Sequence, residues 1–494
     1  MDINVSYVVF ILSTFIFLLF ILKRLFSHDI KNLPPGPPRL PIIGNLHQVG
    51  DKPHVSTAKF AQQYGPLTCL KLGTQVLVVA SSPEAAMGIL KTQDRFLSSR
   101  VVPTAMQNES LLPHSILFSE CNDSWKNLRS LCKTEMFSSS ALEAHSSIRE
   151  AKVDQLLEFL RKKQGQVINI RDIVFTTFFN TLSCIVFGKD MLDLEEEHES
   201  FVGVKRSILM ILEYVARIKD VGSFFPVFER FDLQGIRKGG QKHVHDAFGY
   251  WKDMIQERRA HMKSSTWQSK SFLDRLLESG FSDNRINQFV TELFVSGTNT
   301  TTTALVWAMA EIVRNQDAMT KIKEEMKREI DSHQIEASHL SKLPYLQACI
   351  KEALRLHPPV PFLLPRVATE TCEVMNYTIP KNARIFVNVW AIGRDPKVWD
   401  DPLSFKPERF LGSNLDFKGQ DFEFLPFGSG RRTCPSLPLG SKSMEFIIAS
   451  LIHEFDWVLP NNEDPSMLNM EDKFLITLKK EKPLKLIFKH RVHQ

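Results

Sequence analysis

Cys434 closes the stretch FLPFGSGRRTCPS (Phe424–Ser436), behind a glycine-rich loop that carries Arg431 and Arg432. Three chemistries use such a set. A glycine-rich loop cradles phosphate with its backbone N–H groups. A cysteine binds zinc in company with other Cys or His ligands. A thiolate ligates a haem iron, with nearby arginines neutralising the carboxylates of the macrocycle. Three further patterns lie upstream. In KEALRLHPP (Lys351–Pro359), Glu352 and Arg355 share one helix face, and Arg409 of FKPERF can add a second cation. In ELFVSGTNTTTTALVWAM (Glu292–Met309), helical periodicity is broken by Gly297 and the polar residues after it, which are poor helix material. That centre predicts a bend whose carbonyls and hydroxyls hold dioxygen and water; the plainer reading is threonines bonded back to their own helix. In WKNLR (Trp125–Arg129), an indole N–H and a guanidinium one turn apart can donate to one carboxylate. Taken singly, each pattern has an ordinary structural explanation.

The elements that must position these residues are mostly helical. AKVDQLLEFLRKKQ, DAFGYWKDMIQERRAHM and DAMTKIKEEMKREID read as amphipathic helices. Strand-like alternation is confined to LTCLKLGTQVLVVASS, to residues 371–388 and to KFLITLKKEKPLKLIFK. The expected fold is therefore mainly α with small β-sheets. At the N-terminus, Val5–Leu22 holds eighteen residues without a charge, followed by Lys23 and Arg24. A span needs about 20 apolar residues, and the basic end stays cytosolic. We read residues 1–31 as a membrane anchor and its flank, 32–45 as a stiff proline-rich hinge, and 46–494 as one catalytic domain. The net charge of +5 over 494 residues argues against nucleic acid as a partner. Seven cysteines without a CxxC pair weaken the zinc reading. No Lys-Ser/Thr follows the loop, which removes the phosphate reading.

In this order and spacing the patterns resemble the cytochrome P450 superfamily, over nearly the whole chain. The anchor and hinge match its plant microsomal layout. The resemblance implies a P450 fold behind an N-terminal transmembrane helix, haem b as cofactor and Cys434 as its axial thiolate. It implies that Arg432, Trp125, Arg129 and Arg366 pair with the haem carboxylates, that Phe427 shields the sulfur, and that Gly428 and Gly430 let backbone pass under the macrocycle. Glu352, Arg355 and Arg409 are implied as a buried scaffold network. Gly297, Asn299 and Thr300 are implied on the oxygen side. Two residues depart from the family pattern. Ser436 replaces a glycine, which puts the loop geometry in question, and Asn299 replaces an acid that relays protons. The implied activity is a monooxygenase using O2 and electrons from NADPH–cytochrome P450 reductase, at the endoplasmic reticulum membrane with its catalytic domain in the cytosol. The texture is similar to plant alkaloid enzymes: N-methylcoclaurine hydroxylases, corytuberine synthase and, most closely, littorine mutase. The favoured substrate is a tropane ester such as littorine. The alternatives are a benzylisoquinoline alkaloid, hydroxylated or phenol-coupled, and a reductase-independent isomerase or dehydratase. For an amine, Glu213 and Asp220 are the candidate counter-ions.

Overall fold

A computed structural model describes residues 7–9, 12–17, 31–195, 199–217, 219–262, 271–330 and 334–491. The alternating stretch around Gly73 forms β1 (Leu67–Leu72) and β2 (Gln75–Ala80), antiparallel, with Gly73 at φ 61° in the turn. Three short strands complete that sheet: β3 (Ser99–Arg100), β4 (Arg366–Val367) and β5 (Arg384–Val387), in the order β1-β2-β5-β4-β3. Only the β2–β5 pair is parallel. The register places Arg100 directly opposite Arg366. Like charges facing each other across a ladder are destabilising by themselves, so this pairing asks for a reason.

The helices that surround the site are α1 (Asp123–Cys132), α2 (Ile170–Phe187), α3 (Glu199–Val215), α4 (Ile236–Met262), α5 (Asp283–Arg314), α6 (Pro344–Leu356) and α7 (Leu437–Glu454). The axis of the molecule is α5. Ser282 caps its start by accepting from the Arg285 N–H. Its first half buries Phe289, Leu293 and Phe294 in a core shared with α2, α3 and α4. Its second half buries Ala304, Leu305 and Met309 in a separate core with α6 and α7. The polar centre lies where the two cores meet. The bend expected there is not what the threonines do: α5 is continuous, and the hydroxyls of Thr298, Thr300, Thr302 and Thr303 each donate to the carbonyl four residues earlier. Each hydroxyl thus satisfies itself without breaking the helix ladder.

The proline-rich segment lies along β1. Cys69 N–H donates to the Pro35 carbonyl at 2.9 Å, and the Asn45 side chain bridges Lys71 N–H to the carbonyls of Pro37 and Pro38. It packs tightly: a Cβ on Gly36 would stand 2.0 Å from the Cys69 oxygen. A stiff segment expected as a spacer is thus pinned to the sheet. Half of the apolar N-terminal segment falls outside the described residues; its described parts, 7–9 and 12–17, are helical. Among the described residues, α2 alone is long and apolar enough to cross a membrane. It is apolar all round because it is buried in the core.

Candidate active site

Between α5 and the Phe424–Ser436 loop lies a cavity that both elements line. Cys434 opens into it from one side, with Phe427 and Gly428; Gly297, Thr300 and Thr301 face it from α5. The loop reaches this position through two left-handed glycines, Gly428 at φ 71° and Gly430 at φ 73°. Their surroundings differ. Gly428 lines the cavity, as expected. Gly430 does not: a Cβ there would stand 2.3 Å from the Leu90 carbonyl oxygen, so glycine is demanded by packing behind the loop. That corrects the expectation that Gly430 passes under a macrocycle. Phe427 packs edge-on against Phe417, at 5.3 Å between centroids, and its carbonyl accepts the Cys434 N–H at 3.0 Å.

Burial pushes the Cys434 thiol up. The Ser436 hydroxyl, the N–H groups of Ser436 and Leu437, and the Arg129 guanidinium all pull it down. None of Cys69, Cys132, Cys184, Cys349 and Cys372 has such a set. Cys132 lines the same cavity, yet burial raises it to about 12 with little beyond Arg129 to oppose that. Cys349, on α6, is also raised well above the usual thiol range by burial, with Glu408, Glu325 and Glu352 adding to it. A thiolate ligand needs donors and cations around its sulfur, and Cys434 is where they converge.

Four guanidiniums line the cavity near this loop: Arg100, Arg129, Arg366 and Arg432. Arg432 donates to the carbonyls of Ser98, Ile116 and Ser119, and Arg129 to that of Thr433. Arg366 pairs with Asp94 at 3.2 Å, and Asp94 also takes the exposed Arg431 at 3.0 Å. Burial lowers the proton affinity of all four, and for Arg100, the most strongly affected, repulsion from Arg366 and Arg432 adds to it. The Arg100 Nε atom is buried and has no hydrogen-bond partner. Buried, mutually repelling arginines with an orphaned donor fit a flat group that brings two carboxylates of its own. A haem is such a group, and Cys434 would be the residue to ligate its iron. Arg100 is the member that sequence reading missed; in one sequence it is a lone arginine at a strand end, and only its register opposite Arg366 reveals it. Trp125 plays a different part from the one expected. Its indole N–H goes to the Ile116 carbonyl at 2.9 Å, and its ring faces the Arg432 and Arg129 guanidiniums at 4.7 and 5.3 Å. It stacks the clamp and donates nothing to the cavity.

On the opposite wall, Gly297 leaves room at the contact of α5 with α2: a Cβ would approach Leu182 at 3.1 Å. Thr300 faces the cavity with its hydroxyl hydrogen given to the Ser296 carbonyl at 2.6 Å, which leaves its oxygen free to accept. Asn299 is not among the cavity-lining residues. Its neighbour in sequence is about 100° away around a helix. The carboxamide oxygen accepts from Arg171 at 2.7 Å, and its nitrogen donates to the Thr477 hydroxyl at 3.0 Å. The expected position beside bound oxygen is therefore corrected: Asn299 ties α5 to α2 and to the Thr477 segment. Asn299→Asp is expected to turn the Arg171 contact into an ion pair and to raise the unfolding free energy by about 1 kcal/mol, the difference between a neutral and a charge-assisted hydrogen bond. Chemical denaturation measures this. Substrate affinity stays within about twofold, because the side chain does not reach the cavity.

The scaffold network is fully formed. Arg355 lies under Glu352 with two bonds of 2.7 Å, and Arg409 and the Lys406 N–H reach the same carboxylate at 3.0 and 2.8 Å. Arg355 also donates to the carbonyls of Gly393, Pro402 and Ser404.

The upper cavity is apolar, walled by residues such as Leu117, Leu212, Leu293, Val360 and Ile476. The sole carboxylate among the lining residues is Glu292. It is 1% exposed, accepts from the Ser115 hydroxyl, the Ile116 and Leu117 N–H groups and Gln288, and burial raises it to about 7. Neither of the two expected counter-ions lines the cavity. Glu213 is exposed on α3, and Asp220 accepts from the Thr104 hydroxyl and the Gly222 N–H.

Comparison with known proteins gives a consistent result. The family model described as Cytochrome P450 matches residues 34–488. A probable (S)-N-methylcoclaurine 3'-hydroxylase isozyme 2 of Coptis japonica is 46% identical over 97% of this chain and 97% of its own. Corytuberine synthase of the same plant is 42% identical over 94% and 95%. Berbamunine synthase of Berberis stolonifera is 39% identical over 95% and 96%. No tropane enzyme is among these relatives, so the tropane-ester expectation lacks support and the benzylisoquinoline alternative fits better.

Proposed function

The chain belongs to the cytochrome P450 family, a haem-thiolate monooxygenase by membership, and on that premise we propose that it oxidises a cationic benzylisoquinoline amine of the N-methylcoclaurine type. The reaction is hydroxylation of an aromatic ring or oxidative coupling of its phenols. The observation that carries the substrate class is Glu292, the one carboxylate that lines the cavity, next to its apolar upper walls. An amine cation placed against it directs the rings away, toward Thr300 and the Cys434 side.

Haem held through the Cys434 sulfur supplies dioxygen activation, with electrons from NADPH–cytochrome P450 reductase. The protein's own residues do the rest. Arg100, Arg129, Arg366 and Arg432 would hold the two carboxylates of the macrocycle. Phe427 keeps water from the sulfur. The Thr300 oxygen accepts a hydrogen bond in the chamber and orients a proton donor there. Apolar walls exclude bulk water and strengthen the attraction of Glu292 for a cation. The apolar N-terminal segment supports a membrane-anchored enzyme at the endoplasmic reticulum, facing the cytosol.

Glu292→Gln tests this reading. Titrated by the substrate-induced spin-state shift, N-methylcoclaurine should bind about tenfold more weakly to the variant, about 1.4 kcal/mol. Glu292 holds its proton up to about pH 7. The carboxylate is therefore neutral below that pH and charged above it, and wild-type affinity should rise through about pH 7 while the variant stays flat. Equal affinity and equal pH slope would remove the amine assignment.

A further inference from the structure

Ser436 stands where α7 begins, and its hydroxyl does not cap the helix. A serine at this position ordinarily accepts from the N–H groups of the first turn. Here it makes no such bond, and the second helical residue, Pro438, has no N–H to offer. Instead the Ser436 Oγ lies 3.4 Å from the Cys434 Sγ. Once the sulfur is a thiolate it has no proton, so the hydroxyl is the only possible donor in this pair. The backbone does not force the arrangement. Ser436 has φ −89° and ψ 12°, open to any residue, and its carbonyl accepts the Gly440 N–H at 2.8 Å. The concern that a Cβ strains the loop is thereby answered, and the side chain is free to be chosen for what it does.

We propose that the Ser436 hydroxyl donates a hydrogen bond to the Cys434 thiolate and makes the haem iron easier to reduce. The inference rests on Cys434 being the axial ligand. A hydrogen bond withdraws electron density from the sulfur, so the sulfur donates less to the metal and favours the lower oxidation state. Backbone N–H groups at the sulfur would remain with glycine at 436; the hydroxyl is an additional donor that only a side chain can bring. Ser436 is a positioning and tuning residue, not one that touches substrate.

The test is a spectroelectrochemical titration of the haem-loaded protein and its variants Ser436→Gly, Ser436→Ala and Ser436→Thr. At a fixed electrode potential, the ferrous-to-ferric ratio should fall about tenfold in the Gly and Ala variants, a shift of about 59 mV for one electron. Their Fe–S stretching frequency, read by resonance Raman, should rise. Thr keeps the hydroxyl and should restore both signals. Gly and Ala variants with unchanged potential and unchanged Fe–S frequency overturn the proposal while leaving the ligand assignment intact. A wild-type holoprotein lacking the thiolate-type carbon monoxide band overturns the ligand assignment and the proposal together.

Discussion

Cys434→Ala will abolish the thiolate-type Soret band of the reduced carbon monoxide complex, while Cys132→Ala and Cys349→Ala will retain it. The three cysteines separate on their surroundings. The Cys434 sulfur has a hydroxyl, two backbone N–H groups and Arg129 drawing its proton away. Cys132 opens into the same cavity but is held near 12 by burial. Cys349 sits inside α6 among carboxylates that oppose ionisation. Only an ionised sulfur gives a strong bond to iron and the associated spectral shift. Cys132→Ala is the sharper control because it changes the same cavity. The difference spectrum of dithionite-reduced, carbon monoxide-treated protein reads the result. A thiolate band surviving in Cys434→Ala, or lost in Cys132→Ala, would move the ligand.

Glu352→Ala is expected to cost about 3–5 kcal/mol of stability, the range for removing one partner of a buried ion pair. Arg355 and Glu352 are both wholly buried, and Arg409 and the Lys406 N–H converge on the same carboxylate. Without the carboxylate, two guanidiniums repel one another near Trp399, whose ring faces both at 5.1 and 5.9 Å. Arg355 keeps its carbonyl partners on Gly393, Pro402 and Ser404, which limits the loss. Glu352→Gln retains the shape and one acceptor, so it should be less damaging than Ala. Denaturant unfolding of the haem-loaded protein measures both, and the haem should dissociate faster from the Ala variant. A loss below about 1 kcal/mol in Glu352→Ala would mean that the network is not a scaffold but a solvated cluster.

Much of this was legible in the residues alone. The cysteine loop, the Glu352–Arg355 spacing and the alternation around Gly73 are local signals, set by helix and strand periods and by glycine's access to positive φ. Mainly helical content, small sheets and one family therefore followed from the chain read by itself. So did the Glu352–Arg355 pair, because a helix fixes the distance between residues three apart; the place of Arg409 beside it was implied only by the family resemblance. The sequence also exposed the two departures, Asn299 and Ser436, since a departure is visible wherever a motif is.

What those residues do was decided only by tertiary structure. Which way Asn299 points depends on its place around α5 and on Arg171, which arrives from a helix more than a hundred residues away. Arg100 became a member of the clamp through strand register with Arg366, a pairing that no local pattern records. Trp125 took a different role because its indole N–H donates to the Ile116 carbonyl, a partner that no local pattern records. Glu292 was hidden for a related reason: a glutamate on a helix reads as solvated until the neighbouring segment, Ser115–Leu117, closes over it and burial raises its proton affinity. Periodicity fixes the face a residue shares with its neighbours along the chain. Its charge state, its partners and the cavity it faces depend on what packs against that face, and that is settled only when distant segments meet.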